Sequence, residues 1–190
     1  MKNVTEQQAV KLIDQISEKM AKKKKKQWSF GDVFLIPLKN GKYGTGQVLD
    51  LQMPNIVRVA LFDEVVNSLE EFNIGQSCSM PNLISLVASS REQLDYDIWQ
   101  LMENKRIEIS TKNFPNEEFR RKNWIGAKHY DAALLEDFLN SFYALLPWDD
   151  WFNPNYLDEF LINISKKPTN LMYKKSSNPA GLDSQSSIKE

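Results

Sequence analysis

The alternation of apolar and polar residues predicts that a β-sheet forms the first half of the folded body. Between residues 28 and 61, short apolar stretches are separated by turn residues, a pattern typical of antiparallel strands joined by tight turns. Residues 82–87 form another apolar run, and residues 106–110 alternate with a period of two. We therefore expect an antiparallel sheet with further strands at these two places.

The turn residues predict how this sheet bends. Asn40-Gly41 is a strong hairpin signal because both residue types accept positive φ. Gly44 and Gly46 lie in the next apolar stretch and predict a bulge or a sharp bend there. Sheets that curl in this way are common in small barrels. We expect a curled antiparallel sheet, a half-barrel that is SH3-like in part.

Helical spacing predicts the second half of the body. From residue 131 to residue 146, large apolar residues recur at intervals of three and four, and Pro147 would end that helix. Asn153 as an N-cap and Pro154 at the first helical position predict a second, short helix. An amphipathic helix is also predicted over residues 4–20. The expected fold class is α+β, with an N-terminal amphipathic helix and C-terminal helices packed against the sheet.

The chain divides into three parts by composition. Its 190 residues are enough for one domain with a real core. We expect an amphipathic helix and a lysine-rich linker over residues 1–26, and a single α+β domain over residues 27–173. Residues 174–190 are rich in Ser and Lys and poor in large apolar residues, so they are expected to form a flexible tail.

The overall charge balance hides two segments of opposite sign. The chain has 24 Lys and Arg against 25 Asp and Glu. Residues 1–26 carry eight lysines against three acids, and five of those lysines are consecutive from Lys22 to Lys26. Residues 131–160 carry seven acids and no Lys or Arg. Either segment could recruit a partner of the opposite charge.

The sequence offers little material for catalysis or metal binding. Cys78 and His129 are the single Cys and the single His, so the chain can form neither an internal disulfide nor a Cys/His zinc site. A nucleophilic pair of these two residues stays open at this stage, although no motif supports it. We expect no enzyme activity, no metal and no cofactor.

Hydropathy bears on the compartment. No apolar segment of the sequence resembles a signal-peptide core or approaches the ~20 residues that span a bilayer. A single thiol also suits a reducing compartment. We therefore expect a cytoplasmic protein with no membrane partner.

Aromatic and acidic residues are concentrated around the Pro147 corner. Four aromatic rings and two carboxylates fall within residues 147–156. Trp and Tyr are enriched at protein interfaces, and acids beside them can pair with a basic partner. The same rings could instead close the core across this corner. Both roles stay open.

A nucleic-acid partner is the alternative to a protein partner. The consecutive lysines would attract a polyanion, and Trp28, Phe34 and Tyr43 on a curled sheet could stack against bases. The acid-rich segment over residues 131–160 argues against it, because it is the reverse of an extended basic face. We therefore place nucleic acid second.

Two motifs resemble one protein family. Residues 28–38, WSFGDVFLIPL, and residues 41–48, GKYGTGQV, resemble the opening of the immunity protein 26 family of bacterial polymorphic toxin systems. Trp148 with residues 153–158, NPNYLD, and residues 167–171, KPTNL, resembles the C-terminal pattern of that family. The resemblance spans at most residues 28–173.

The resemblance implies an immunity protein that binds and neutralises a cognate bacterial toxin. It implies neither catalysis nor a cofactor. Toxins that attack nucleic acids inside cells have basic clefts, so we hypothesise a basic toxin, for example a nuclease, held by an acidic and aromatic surface. The residues assigned to that surface are Asp149, Asp150, Trp151, Asp158, Glu159, Asp63 and Glu64.

The other motif residues are assigned to structure rather than to binding. Gly31 would let the backbone turn into the first strand, and Asp32 would bond to nearby amides. The full structural set is Gly31, Asp32, Pro37, Gly44, Gly46, Trp148 and Pro154.

Overall fold

Five antiparallel strands form the centre of the protein. The computed structural model describes residues 26–150 and 152–174, so the helix predicted over residues 4–20 and residues 175–190 of the predicted tail lie outside the described residues. The strands are β1 (Asp32–Pro37), β2 (Tyr43–Met53), β3 (Ile56–Val66), β4 (Leu83–Ser90) and β5 (Gln100–Asn104).

The strand order is β4-β3-β2-β1-β5, and every pair is antiparallel. The predicted α+β class and antiparallel sheet are confirmed. The two outer strands, β4 and β5, do not pair with each other, so the sheet stays open and does not close into a barrel.

The β1–β2 turn follows the prediction made from Asn40-Gly41. Gly41 has φ +81°, and its N–H donates to the carbonyl of Leu38 at 3.0 Å. Glycine suits this position because other residues rarely adopt such a φ. The turn sets the register of the hairpin, in which Pro37 at the end of β1 lies opposite Tyr43.

Two glycines make room inside the sheet. The register of β2 against β3 shifts between Gly44 and Thr45, where the sequence predicts a bulge. A Cβ on Gly46 would lie 2.4 Å from Cζ of Phe34, and one on Gly44 would lie 3.0 Å from Cδ1 of Leu139. Larger residues here would therefore force the surrounding side chains apart.

Helices occupy the connections and one face of the sheet. Among the described residues these are α1 (Glu92–Asp95) and α2 (Ala132–Phe142), and Asp131 caps α2 by accepting from Ala133 N–H at 2.9 Å. The apolar face of α2 is buried against the sheet. Short 3₁₀ helices complete the fold at Leu69–Glu71, Met80–Asn82, Thr111–Asn113, Glu117–Lys122, Asp158–Phe160 and Ile164–Lys166.

Two apolar cores lie on opposite faces of the sheet. Successive side chains of a strand point to opposite faces, and the neighbours Val33 and Phe34 of β1 belong to different cores. Phe34 belongs to the main core, where its ring stacks on Trp99 with centroids 5.0 Å apart. The fully buried Trp148 packs there against Phe138, with centroids 5.8 Å apart. The second core consists of Val33, Leu49, Ala60, Phe62, Cys78, Leu83, Ile109 and Phe114.

The C-terminal half covers the outer edge of β4. Tyr130 N–H donates to the carbonyl of Ala88 at 2.9 Å, and Ser90 N–H donates to the carbonyl of Tyr130 at 3.1 Å. Further along the strand, Ile162 N–H donates to the carbonyl of Ile84 at 2.8 Å. These bonds satisfy backbone groups that an edge strand would otherwise leave open.

The sequence predicts that helix α2 continues to Leu146, just before Pro147. In the structure it ends at Phe142. Leu145 N–H donates to the carbonyl of Asn140 at 2.7 Å, and Ala144 N–H donates to that of Ser141 at 3.0 Å. This pair of bonds is a Schellman cap, and Ala144 adopts φ +55° to form it. The predicted length is wrong because the cap stops the helix first.

The last strand also differs from the prediction. β5 pairs with β1 through Leu101 opposite Phe34, and Lys105 N–H closes the pairing by donating to the carbonyl of Gly31 at 2.9 Å. Residues 106–110, predicted as a strand, form none. The two isoleucines of this segment do pack against the second core. The period of two therefore indicates which side chains are buried, although the segment does not pair with another strand.

Asn153 and Pro154 form a turn rather than the start of a helix. The Oδ1 atom of Asn153 accepts from Asn155 N–H at 2.9 Å, which closes a turn on the spot. The 3₁₀ helix at Asp158–Phe160 follows, and Pro154 is exposed. The predicted second helix is therefore wrong.

Gly31 and Asp32 form the turn into β1. Gly31 has φ +91°, and a Cβ there would lie 2.7 Å from the carbonyl oxygen of Lys105. The carboxylate of Asp32 accepts from Ser29 N–H at 2.7 Å and from the side-chain amide of Asn104 at 2.8 Å. These contacts join the start of β1 to the end of β5.

We expect Gly31→Val to destabilise the protein by about 2–4 kcal/mol, because Val rarely adopts positive φ and its Cβ would press on the Lys105 carbonyl. Thermal melts followed by circular dichroism measure the change. Gly75→Val is the matched control, since Gly75 lies in an exposed loop without positive φ. A Gly31→Val variant that melts normally but no longer binds a partner would move Gly31 from a structural role to a binding role.

Ala144→Gly should stabilise the protein by about 0.5–1 kcal/mol, because glycine adopts the left-handed conformation of the cap without a Cβ penalty. Urea unfolding at neutral pH measures the difference. The same exchange at the exposed helical residue Ala133 should destabilise by up to about 1 kcal/mol. If both exchanges destabilise the protein equally, the cap assignment is wrong.

Candidate protein interface

A cleft between α2 and the chain that follows it carries three carboxylates. Asp137 lies on α2, and Asp149 and Asp150 lie beyond the Pro147 corner. The cleft has a volume of about 210 Å³, and Tyr156 and Lys174 contribute to its lining. We call this site, defined by Asp137, Asp149 and Asp150, the carboxylate cleft.

The backbone beside the carboxylate cleft is shaped by its own acids. Asp150 Oδ1 accepts from Phe152 N–H at 2.8 Å and from Asn153 N–H at 2.5 Å. Asp149 Oδ1 accepts from Lys174 N–H at 2.7 Å. The resulting turn presents the Phe152 side chain to solvent, with 96% of the residue's surface exposed. An apolar ring therefore stands beside the carboxylates.

Asp158 and Glu159, two further residues of the predicted surface, are engaged by neighbours. Asp158 Oδ1 accepts from Trp148 Nε1 at 2.6 Å and pairs with Lys167 Nζ at 2.7 Å. Glu159 Oε2 pairs with Lys128 Nζ at 3.1 Å. Asp158 therefore satisfies the polar edge of a buried indole, while Glu159 forms an exposed ion pair.

Asp63 and Glu64, also predicted for this surface, lie near the end of β3 and do not line the carboxylate cleft. Glu64 accepts from the N–H groups of Cys78 at 2.8 Å and Ser79 at 2.9 Å, so it holds a loop in place. Burial raises the pKa of Tyr143, and the charge of Asp63 raises it further. The fold therefore does not bring all predicted acids together.

The surface differs in membership from the predicted one. Trp151 lies outside the described residues. Phe152 joins the surface, and its signal was visible in the aromatic and acidic segment around it. Asp137 joins because the chain folds back after α2, and no sequence pattern indicates that approach.

Cys78 and His129 do not form a nucleophilic pair. Cys78 is buried in the second core, where burial, with a smaller contribution from the Glu64 charge, raises the pKa of its thiol to about 12. His129 is exposed on the chain between the 3₁₀ helix at Glu117–Lys122 and α2. Within the described ranges, no three His, Cys, Asp or Glu side chains are placed to hold a metal ion.

A buried guanidinium ties residues 114–124 to the sheet. Arg58 of β3 is fully buried, and its guanidinium binds the Asp50 carboxylate of β2 through two hydrogen bonds. The same guanidinium donates to Glu117 Oε2 at 2.7 Å and to the carbonyl of Pro115 at 3.1 Å. Strands and loop therefore share one charged centre.

Two aromatic rings and a second arginine complete this cluster. The Arg58 guanidinium lies 5.1 Å from the ring centroids of both Phe114 and Trp124, and Arg120 lies 5.0 Å from the Trp124 ring. Arg120 Nε donates to Glu117 at 2.6 Å. This hydrogen bond, reinforced by Arg58, lowers the pKa of Glu117 to about 2.

The cluster holds a strained loop, which we call the 116–128 loop. Asn116, Asn123, Trp124 and Gly126 all have positive φ, which is rare for a residue as large as Trp. The Asn116 side chain donates to Gln52 Oε1 at 2.8 Å and to the carbonyl of Lys128 at 2.6 Å, which joins the two ends of the loop. Strain of this kind persists only where the surroundings enforce it.

The described residues form a small α+β protein with an open antiparallel sheet. A sequence model of the immunity protein 26 family matches residues 29–129, more than half of the chain. The chain therefore belongs to the immunity protein 26 family. The match ends before α2, so the carboxylate cleft lies outside the matched residues. Comparisons with curated proteins and with solved structures find no match.

Family membership implies an immunity function in a toxin system and a toxin as the partner. It does not identify the toxin or the contact surface. In the part of the chain that is described, no helix combines the length and the apolar character needed to cross a membrane.

Glu117→Gln should flatten the loss of stability on acidification. The folded pKa of Glu117 is lowered, so its contribution is fully present above the unfolded value near 4.5 and is lost as pH falls toward about 2. Urea unfolding between pH 6 and pH 2.5 measures this slope. Glu118→Gln, at the exposed neighbouring residue, should keep the wild-type slope. If stability falls with pH equally steeply in both variants, Glu117 does not contribute to the loss of stability in acid.

Proposed function

We propose that this protein neutralises a cognate toxin by direct contact through the carboxylate cleft, without catalysis. The family supplies the immunity function and the toxin partner. One observation carries the choice of surface: three acids and a single lysine, Lys174, line one cleft, and Phe152, two residues after Asp150, is almost entirely exposed. A basic site on the toxin is the complementary partner, and a toxin that acts on nucleic acid needs such a site for its substrate.

The two parts of this surface would do different work. A group of negatively charged carboxylates raises the rate of encounter with a basic partner and orients that partner. This effect weakens as salt is added. An exposed aromatic ring that becomes buried in a pocket of the partner slows dissociation, because such anchors carry much of the binding energy. We therefore assign association to the three acids and retention to Phe152.

The other predicted acids receive narrower roles in this proposal. Asp158 accepts from a buried indole, Glu64 holds a loop, and Glu159 already pairs with a lysine. Each has part of its charge compensated or its oxygens occupied within the chain. Asp137, which is exposed on α2, takes their place.

The function is tested in two steps with the full chain. Tagged protein is first purified from the cells that produce it, and a single co-purifying protein in stoichiometric amount is expected. That protein is then expressed alone and together with the chain. The expected result is growth arrest that co-expression relieves. A captured protein without toxicity, or toxicity that the chain does not relieve, would overturn the proposal.

Replacing the three acids of the carboxylate cleft by Asn should slow association with that toxin by about tenfold at low salt. Asn keeps the oxygen that accepts the backbone hydrogen bonds of Asp149 and Asp150, so the turn is preserved while the charge is lost. Stopped-flow or surface-based kinetics give the rates. The matched control replaces the exposed acids Glu70, Glu103 and Glu108 by Gln. An equal change in association rate for both variants would show that the effect comes from the net charge of the protein and not from the carboxylate cleft.

A further inference from the structure

We propose that the protein associates with a second copy of itself, with the 116–128 loop of each copy docked on the carboxylate cleft of the other. This association needs no toxin and therefore goes beyond the proposed function. It rests on two surfaces of one chain that are complementary in charge and that both expose an apolar side chain.

The 116–128 loop supplies the basic half of the contact. Arg121 and Lys122 are exposed, and neither forms an ion pair with another residue of the described ranges. Ile125 follows closely, with 75% of its surface exposed. No acid lies between residues 119 and 128. The exposed acid Glu118 also lies in the loop, so the loop presents one exposed acid and two exposed cations without ion pairs, followed by an exposed aliphatic side chain.

The loop is held in a fixed shape before any partner arrives. Trp124 N–H donates to the carbonyl of Phe119 at 3.0 Å, and Ala127 N–H donates to that of Trp124 at 3.0 Å. A Cβ on Gly126 would lie 3.1 Å from the Phe119 ring, so the backbone at Gly126 packs closely on the Phe119 side chain of the same loop. Binding by a rigid loop loses little conformational entropy.

The carboxylate cleft supplies the opposite half. Its three acids outnumber the one lysine in its lining, Lys174, and so are opposite in charge to Arg121 and Lys122; Phe152 follows Asp150 by two residues, as Ile125 follows Lys122 by three. Contact between the two exposed apolar side chains would remove both from water. A nucleic acid fits the loop less well, because the Trp124 ring already has two guanidinium groups within 5.1 Å and has little face left for a base.

The 116–128 loop is also tied to the C-terminal segment within one chain. Lys128, at the end of the loop, pairs with Glu159 of the C-terminal segment at 3.1 Å. Two surfaces of opposite charge on one chain allow a twofold arrangement in which each copy gives its loop and receives the loop of the other. Such a dimer contains the same contact twice, so weak contacts add.

Self-association of this kind covers the carboxylate cleft. If the cleft also binds the toxin, the toxin and the second copy compete for it. This consequence rests on the proposed function. The free protein would then store its acidic surface in the dimer and release it when toxin binds.

The test is a charge exchange read by analytical ultracentrifugation of the full chain at 50 mM and 500 mM salt. The wild-type protein should associate at the lower salt and dissociate at the higher. Arg121→Glu with Lys122→Glu should weaken association at least about tenfold, and so should Asp137→Lys with Asp149→Asn and Asp150→Asn. Mixing these two variants should restore association, because each loop then meets a cleft of opposite charge. Arg106→Glu with Lys112→Glu, at exposed cations outside the loop, is the matched control.

Three outcomes would overturn the proposal. The first is a wild-type protein that stays monomeric at millimolar concentration and low salt. The second is a mixture of the two variants that remains monomeric although each is folded by circular dichroism. The third is binding of a single-stranded oligonucleotide that the loop variant loses while no self-association is seen, which would assign the loop to nucleic acid instead. Toxin neutralisation is measured separately, so its failure leaves the self-association result standing.

Discussion

The buried guanidinium of Arg58 is the interaction on which the arrangement of this protein depends. A charge without solvent contact costs several kcal/mol unless charged and polar groups surround it, and removing one partner of such a group typically costs about 3–5 kcal/mol. Asp50 comes from the neighbouring strand and Glu117 from a distant loop. Sheet and loop must therefore form together, and the loop becomes a rigid part of the molecule.

The acids of the C-terminal part are divided between folding and display. Asp131 caps α2, Asp158 satisfies the indole of Trp148, and Glu136 accepts from Trp99 Nε1 at 2.9 Å. A high density of one charge in the sequence is thus not equivalent to a charged surface. The acids of the carboxylate cleft show the intermediate case, because Asp149 and Asp150 accept backbone hydrogen bonds and still face the cleft.

Local patterns predict the parts of this fold that local chemistry determines. The β1–β2 hairpin follows from Asn40-Gly41, and the start of α2 follows from its apolar period with Asp131 before it. The end of α2 escapes prediction because Ala144 adopts a conformation in which glycine is expected. β5 and the carboxylate cleft depend on which segments meet in space, and a single sequence taken alone holds no signal for such contacts.

The C-terminal half that carries the carboxylate cleft also lies along the outer edge of β4, through Tyr130 and Ile162. An uncovered edge strand is a template on which another chain can add a strand, and this is a common route to aggregation. The part of the chain that matches the family ends at residue 129, just before the segment that closes this edge. The segment that carries the carboxylate cleft therefore also protects this edge, and a substitution that loosens its packing on β4 would open the sheet to pairing with another chain.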